Sequence, residues 1–149
     1  MIRATHRVTT RPADATVHLD YDRRHRRRMA LTTDAGEPVL LDLAEATRLL
    51  DGDCLAMDDG RTLGVRAEPE PVIDIVPAHA ADLTRLAWHL GNRHTPTEIL
   101  ADRLRIRPDH VLEAMAERLG AQLVRQTAPF NPEAGAYADG GSARGHHHH

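Results

Sequence analysis

The sequence predicts an α+β protein in three parts: a small, mostly-β N-terminal domain, a ferredoxin-like βαββαβ domain, and a disordered tail that ends in histidines. Three observations carry this reading. Apolar residues alternate with polar ones in the first part, which is the strand period. Beyond Glu68-Pro69-Glu70-Pro71 they recur at helical spacing in two segments. From Pro129 onward, Pro, Gly and Ala dominate and the apolar period vanishes. The expected boundaries are residues 1–69, 72–128 and 129–149.

In the first part, Val17, Leu19 and Tyr21 alternate with His18 and Asp20, as a half-buried strand requires. Met29-Ala30-Leu31-Thr32-Thr33 leads through Asp34-Ala35-Gly36 into Pro38-Val39-Leu40-Leu41-Asp42-Leu43, the form of a hairpin. Cys54-Leu55-Ala56-Met57, the turn Asp58-Asp59-Gly60, and Thr62-Leu63-Gly64-Val65 form a second. The prolines at 69 and 71 stiffen the chain and remove ladder donors, which places the domain boundary there.

The second part begins with a short apolar strand at 72–76. A helix follows over 80–90, with Leu83, Leu86, Ala87 and Leu90 on one face and Gly91 suited to its cap. Short strands are expected at 97–100 and 103–107. Pro108 and Asp109 suit the start of a second helix, in which Val111, Leu112, Met115 and Leu119 face inward and Gly120 terminates. A strand at 121–127 closes the series, so the order is the split βαβ arrangement.

Composition removes whole classes of chemistry. No lysine is present, which excludes P-loop phosphate binding and Schiff-base catalysis. Ser142 is the only serine and lies in the Gly-rich tail, so a Ser-His-Asp hydrolase is not supported. Cys54 stands alone, so there is neither an internal disulfide nor a Cys-rich zinc site. Four aromatic residues are too few for a base-stacking platform, and a net charge of -3 gives no global pull toward nucleic acid or membrane. The N-terminus lacks the apolar run of a signal peptide, and no run approaches the ~18 residues of a membrane span. A cytoplasmic, non-enzymatic protein is expected.

Histidine is where chemistry remains. His94 follows the first helix on a loop held between packed elements, rigid enough to aim an imidazole and exposed enough to meet a ligand; the alternative is a solvated histidine favoured by the helix end. His89 is five residues away and on a different face, and no His-Glu-x-x-His pattern exists, so a zinc protease is not supported. His110 lies in the first turn of the second helix, with Glu113 three residues on and on the same face, either a ligand pair or a solvated helix start. His146, His147, His148 and His149 end the chain and can chelate nickel, copper, zinc or cobalt, although they also have the form of a purification tag. A flexible segment of about twenty residues spans roughly 25 Å, enough for these imidazoles to exchange a metal with His94. Finally, Arg23-Arg24-His25-Arg26-Arg27-Arg28 could dock an acidic partner or RNA, or could be a charged strand edge that discourages aggregation.

Gly91-Asn92-Arg93-His94, with Trp88-His89-Leu90 before it and Asp109-His110-Val111-Leu112 after it, resembles the UreE-type urease accessory proteins. The segment from Pro129 to Tyr137 and the His-ended tail are similar to that family too. The resemblance covers the second part and tail in motif, and the first part in layout. It implies a homodimeric nickel metallochaperone that delivers Ni2+ for urease assembly, with Zn2+ and Cu2+ as in vitro alternatives. The implied partners are the urease accessory GTPase and the urease apoprotein complex. By the same resemblance, the histidine matching His94 comes from both subunits onto one ion, the one matching His110 is a further ligand, and the first domain resembles a peptide-binding β module. Some members carry another histidine where this chain has Pro108.

Overall fold

The computed structural model describes residues 1–134; Gly135 onward, including His146, His147, His148 and His149, lies outside the described residues. The described chain separates into two compact units, 1–68 and 69–134.

The first unit is a six-stranded sheet built from β1 (Ile2–Val8), β2 (Ala15–Leu19), β3 (His25–Thr32), β4 (Pro38–Arg48), β5 (Cys54–Met57) and β6 (Thr62–Ala67). Their spatial order is β2-β6-β5-β1-β4-β3. Both expected hairpins form, β3 with β4 and β5 with β6. Each turn uses the same chemistry: Gly36 and Gly60 adopt φ near +90°, and each donates its N–H to the carbonyl three residues earlier, Thr33 or Met57. This left-handed closure is open to glycine at little cost. The parallel pairs β1–β4 and β2–β6 complete the sheet around Leu19, Leu41, Leu55, Leu63 and Val65.

Although β2 and β3 end the strand order, the turn after β3 reaches back to β2. The Asp34 N–H donates to the Thr16 carbonyl at 2.8 Å, the Thr16 hydroxyl donates to Asp34 at 2.6 Å, and His18 Nδ1 lies 2.9 Å from the same carboxylate. The Thr16 and His18 hydrogen bonds hold the Asp34 carboxyl below its ordinary range.

The arginine run is built into this unit. Arg23 and Arg24 lie in a single helical turn and Arg26, Arg27 and Arg28 open the edge strand β3. Arg24 is 1% exposed and donates to the Leu19 carbonyl at 2.8 Å. Arg27 lies 3.7 Å from Asp42, which also pairs with Arg3. Cations along an edge oppose pairing with other chains.

The second unit comprises β7 (Glu70–Val76), α1 (Leu83–Gly91), β8 (Glu98–Ile99), β9 (Leu104–Ile106), α2 (His110–Arg118) and β10 (Gln122–Ala128). The sheet order β10-β7-β9-β8, with every pair antiparallel, has the ferredoxin-like layout. Leu86 and Leu90 of α1 and Leu112, Met115 and Ala116 of α2 share one core with Ile73 and Ile75. Val111 does not face inward as expected but is 65% exposed. The buried stripe runs 112, 115, 116 and 119, and Val111 sits about a quarter turn to its side. Pro71, expected to break the chain, lies inside β7 opposite Thr127. Strand β9 pairs with β7 only at Ile73–Ile75, so Pro71 occupies an edge-like position that tolerates proline.

Asp74 ties this sheet together. Its side chain is 1% exposed and accepts from Arg105 Nε at 2.7 Å, Gln126 Nε2 at 2.6 Å and Arg103 Nη1 at 3.3 Å. Burial pushes the Asp74 carboxyl up, but these donors, Arg105 foremost, outweigh it and the net displacement is downward.

The sequence pattern places the start of the disordered tail at Pro129, and the structure differs there. Residues 129–134 form a strap against this unit. Phe130 is fully buried, Arg105 donates to the Pro129 carbonyl at 3.2 Å, Asn131 N–H to Glu98 at 2.9 Å, and Glu133 N–H to the Thr97 carbonyl at 2.8 Å. One buried ring and three hydrogen bonds fix a segment whose composition alone reads as unstructured.

Candidate metal centre

The apolar stripe of α1 ends at Leu90, and Pro96 forbids the helix from running on. Between them the chain reverses. His94 N–H donates to the Gly91 carbonyl at 3.0 Å and Thr95 N–H to the Leu90 carbonyl at 3.4 Å. This is the paired bonding of a Schellman motif, which needs a left-handed residue just past the helix. Gly91 was expected to supply that residue, but it is the last helical residue and His94 takes the role, with φ of 56°. Among the described residues, His94 is the only non-glycine with positive φ. A side chain there costs about 1–2 kcal/mol relative to glycine. Such strain is retained where the side chain is needed.

His94, exposed at this turn, lines a groove of about 500 Å³. Thr95 and Pro96 continue that wall, and the connection from β9 to α2 supplies Arg107, Pro108 and Asp109 opposite. Glu70, Pro71 and Leu112 complete the lining. Sequence reasoning missed Glu70, Pro71 and Arg107, because three segments distant along the chain meet here and none carries a local signal.

His110 is the first residue of α2 and is exposed, directly after the groove residue Asp109. The helix starts there because Asp109 accepts from the N–H groups of Val111 and Leu112 at 3.0 and 3.1 Å. In return Glu113 accepts from the Asp109 N–H at 2.8 Å and its other oxygen accepts from Arg125. Glu113 is therefore buried and engaged at both oxygens, and does not form a free ligand pair with His110. Cys54 is also structural: it is buried and donates to the Arg11 carbonyl at 3.2 Å. Among the described residues, no three His, Cys, Asp or Glu side chains converge into a ready-made metal site. What one chain supplies at the groove is one exposed imidazole on a defined backbone turn, with a second imidazole at the neighbouring helix start.

The known proteins agree with this architecture. The profile of the UreE urease accessory protein N-terminal domain matches residues 2–68, and that of the C-terminal domain matches residues 70–149. A urease accessory protein UreE of Bradyrhizobium sp. is 52% identical over all of this chain and 74% of its own length. The UreE of Chelativorans sp. is 50% identical over all of this chain and 94% of its own. That of Paracoccus denitrificans is 54% identical over 87% of this chain and 80% of its own. With both domain profiles matched end to end and half the residues shared with such relatives, the chain belongs to the UreE urease accessory protein family.

Proposed function

We propose that this chain binds Ni2+ and delivers it for urease assembly, acting as the nickel metallochaperone of urease maturation that its family membership implies. One observation carries the site assignment: a histidine occupies the strained, left-handed end of α1, where glycine would be more stable, and lines a groove there. One imidazole is too few ligands to hold a divalent ion tightly. A two-fold homodimer in which His94 of each copy meets the same ion supplies the second. His110 adds a further imidazole near the groove, and His146, His147, His148 and His149 capture the ion first.

Nickel is the cargo here, so the protein performs no chemistry on it. Neutral imidazoles bind Ni2+ through a nitrogen lone pair and, left to intrinsic affinity, take Cu2+ more strongly, so selectivity comes from geometry and partners. Those partners are the urease accessory GTPase and the urease apoprotein, in the cytoplasm. No described helix is long and apolar enough to cross a membrane. The arginine-run adaptor is not favoured, since Arg24 is interior and Arg27 lies beside Asp42.

Calorimetric titration of Ni2+ into the full chain with the four terminal histidines replaced by alanine tests the assignment. About one ion per two chains is expected, with affinity falling about tenfold or more in His94→Ala, a loss of about 1.4 kcal/mol. Unchanged affinity in His94→Ala would remove His94 from the site.

A further inference from the structure

His94 keeps a left-handed backbone that its own helix end holds loosely. At the glycine end of α2 the two closing hydrogen bonds are 2.9 and 3.0 Å, from Gly120 to the Glu117 carbonyl and from Ala121 to that of Ala116. At the end of α1 the second of the pair, from Thr95 to the Leu90 carbonyl, stretches to 3.4 Å, beyond the ordinary range for an N–H donor. A non-glycine residue at φ of 56° persists only where its surroundings over-determine it, so a further hold is needed on the far side of the turn.

That hold converges on Thr97. We infer that Thr97 is a positioning residue for His94, its hydroxyl fastening the turn to a segment that the strap clamps from behind. The Thr97 hydroxyl donates to the Thr95 carbonyl at 2.9 Å, one residue past His94. Pro96 between them has a fixed φ and biases Thr95 toward extended backbone, so few torsions stay free between the two threonines. Thr97 itself is anchored, because its carbonyl accepts from the Glu133 N–H at 2.8 Å and the next side chain, Glu98, accepts from the Asn131 N–H at 2.9 Å. The buried Phe130 seats the strap, and Arg105, paired with Glu98 across β8 and β9, donates to the Pro129 carbonyl at 3.2 Å. A path of hydrogen bonds therefore runs from the strap to the turn that carries the imidazole. Its last step, toward the metal, rests on the assignment of His94 as a nickel ligand: affinity scales with the fraction of chains in which the turn is set.

Amide hydrogen exchange in the metal-free full chain reads the hold without reference to nickel. A neutral hydrogen bond of ordinary worth shifts a local opening equilibrium about fivefold. Thr97→Val keeps the branched shape and loses the donor. It is expected to speed exchange at the His94 and Thr95 amides by about that factor, and to leave Gly120 and Ala121, at the other helix end of the same unit, unchanged. Thr97→Ser is expected to restore the parent rates. Ni2+ affinity, by calorimetry on chains whose four terminal histidines are alanine, should fall about two- to fivefold in Thr97→Val and recover in Thr97→Ser. Unchanged exchange at His94 and Thr95 in Thr97→Val would overturn the inference. So would an equal rise at Gly120 and Ala121, since Thr97 would then serve only the stability of the unit, and so would undiminished nickel affinity in Thr97→Val where His94→Ala weakens binding. If His94→Ala leaves nickel affinity unchanged, the metal assignment falls, and the exchange rates alone decide whether Thr97 holds the turn.

Discussion

The two helices of the second unit end with the same hydrogen bonds and different residues. At the end of α2, Gly120 has φ of +89°, its N–H meets the Glu117 carbonyl, and Ala121 N–H meets the Ala116 carbonyl. At the end of α1, the equivalent donors are His94 and Thr95, and the left-handed position holds a histidine with φ of 56°. Glycine is the stable answer to this geometry, and the chain uses it where only a stop is needed. Where the stop borders a groove, it accepts strain and keeps an imidazole. On the proposed assignment of His94 as a nickel ligand, the difference separates a residue that serves folding from one that serves what it presents.

Four measurements break or sharpen that contrast. The strained end is tolerable only if the sheet beneath is firm, and Asp74 is the test of that. Replacing it with Ala leaves Arg105 partly buried without its carboxylate and is expected to destabilise the unit by about 3 kcal/mol in chemical denaturation. Next, Gly120→His places the α1 solution on α2. No atom lies within 4 Å of an added Cβ there, so only backbone strain acts, and a loss of about 1–2 kcal/mol is expected with no gain in nickel binding. The converse change, His94→Gly, is expected to stabilise by about 1 kcal/mol while nickel affinity falls about tenfold or more. A loss of stability in His94→Gly would mean that the imbalance between the two helix ends is only apparent.

The smallest effect is that of acid. The Asp74 carboxyl is held below its ordinary range in the folded chain. The group is depressed on folding, so its contribution is complete above its unfolded pKa and disappears as pH falls through the folded value. Unfolding free energy measured from pH 5 downward should therefore decline in the parent chain, and this component of the decline should be absent in Asp74→Asn.

Local signals were legible in the sequence and non-local ones were not. The hairpin glycines, the apolar stripes of both helices and the Gly120 stop each depend on a few neighbouring residues, and each was readable. The parallel pairing of β1 with β4 and of β2 with β6 joins residues far apart, and only Ala4 of β1 is fully buried, so that strand carried no clear alternation. Val111 misled because it is apolar yet lies beside the stripe, and Pro71 misled because proline is harmless where a strand has one partner. His94 was readable as a residue of interest. Its left-handed backbone was not, since Gly91 nearby offered the conventional cap. The strap escaped notice because one buried Phe130 outweighs a composition of Pro, Asn and Ala.

The pairing of β7 with β10 sets a timetable for the nascent chain. The first unit's strands all precede residue 68, so it can close before the second begins to emerge. Strand β7, by contrast, meets β10 only after some fifty further residues, roughly 3–10 s at ordinary rates of synthesis. Until β9 and then β10 are made, Val72, Ile73 and Ile75 lack their sheet partners and are an apolar, β-prone segment of the kind that joins other chains. Pro71 and Asp74 interrupt that segment with a missing donor and a charge, and so act as gatekeepers against aggregation until β10 arrives.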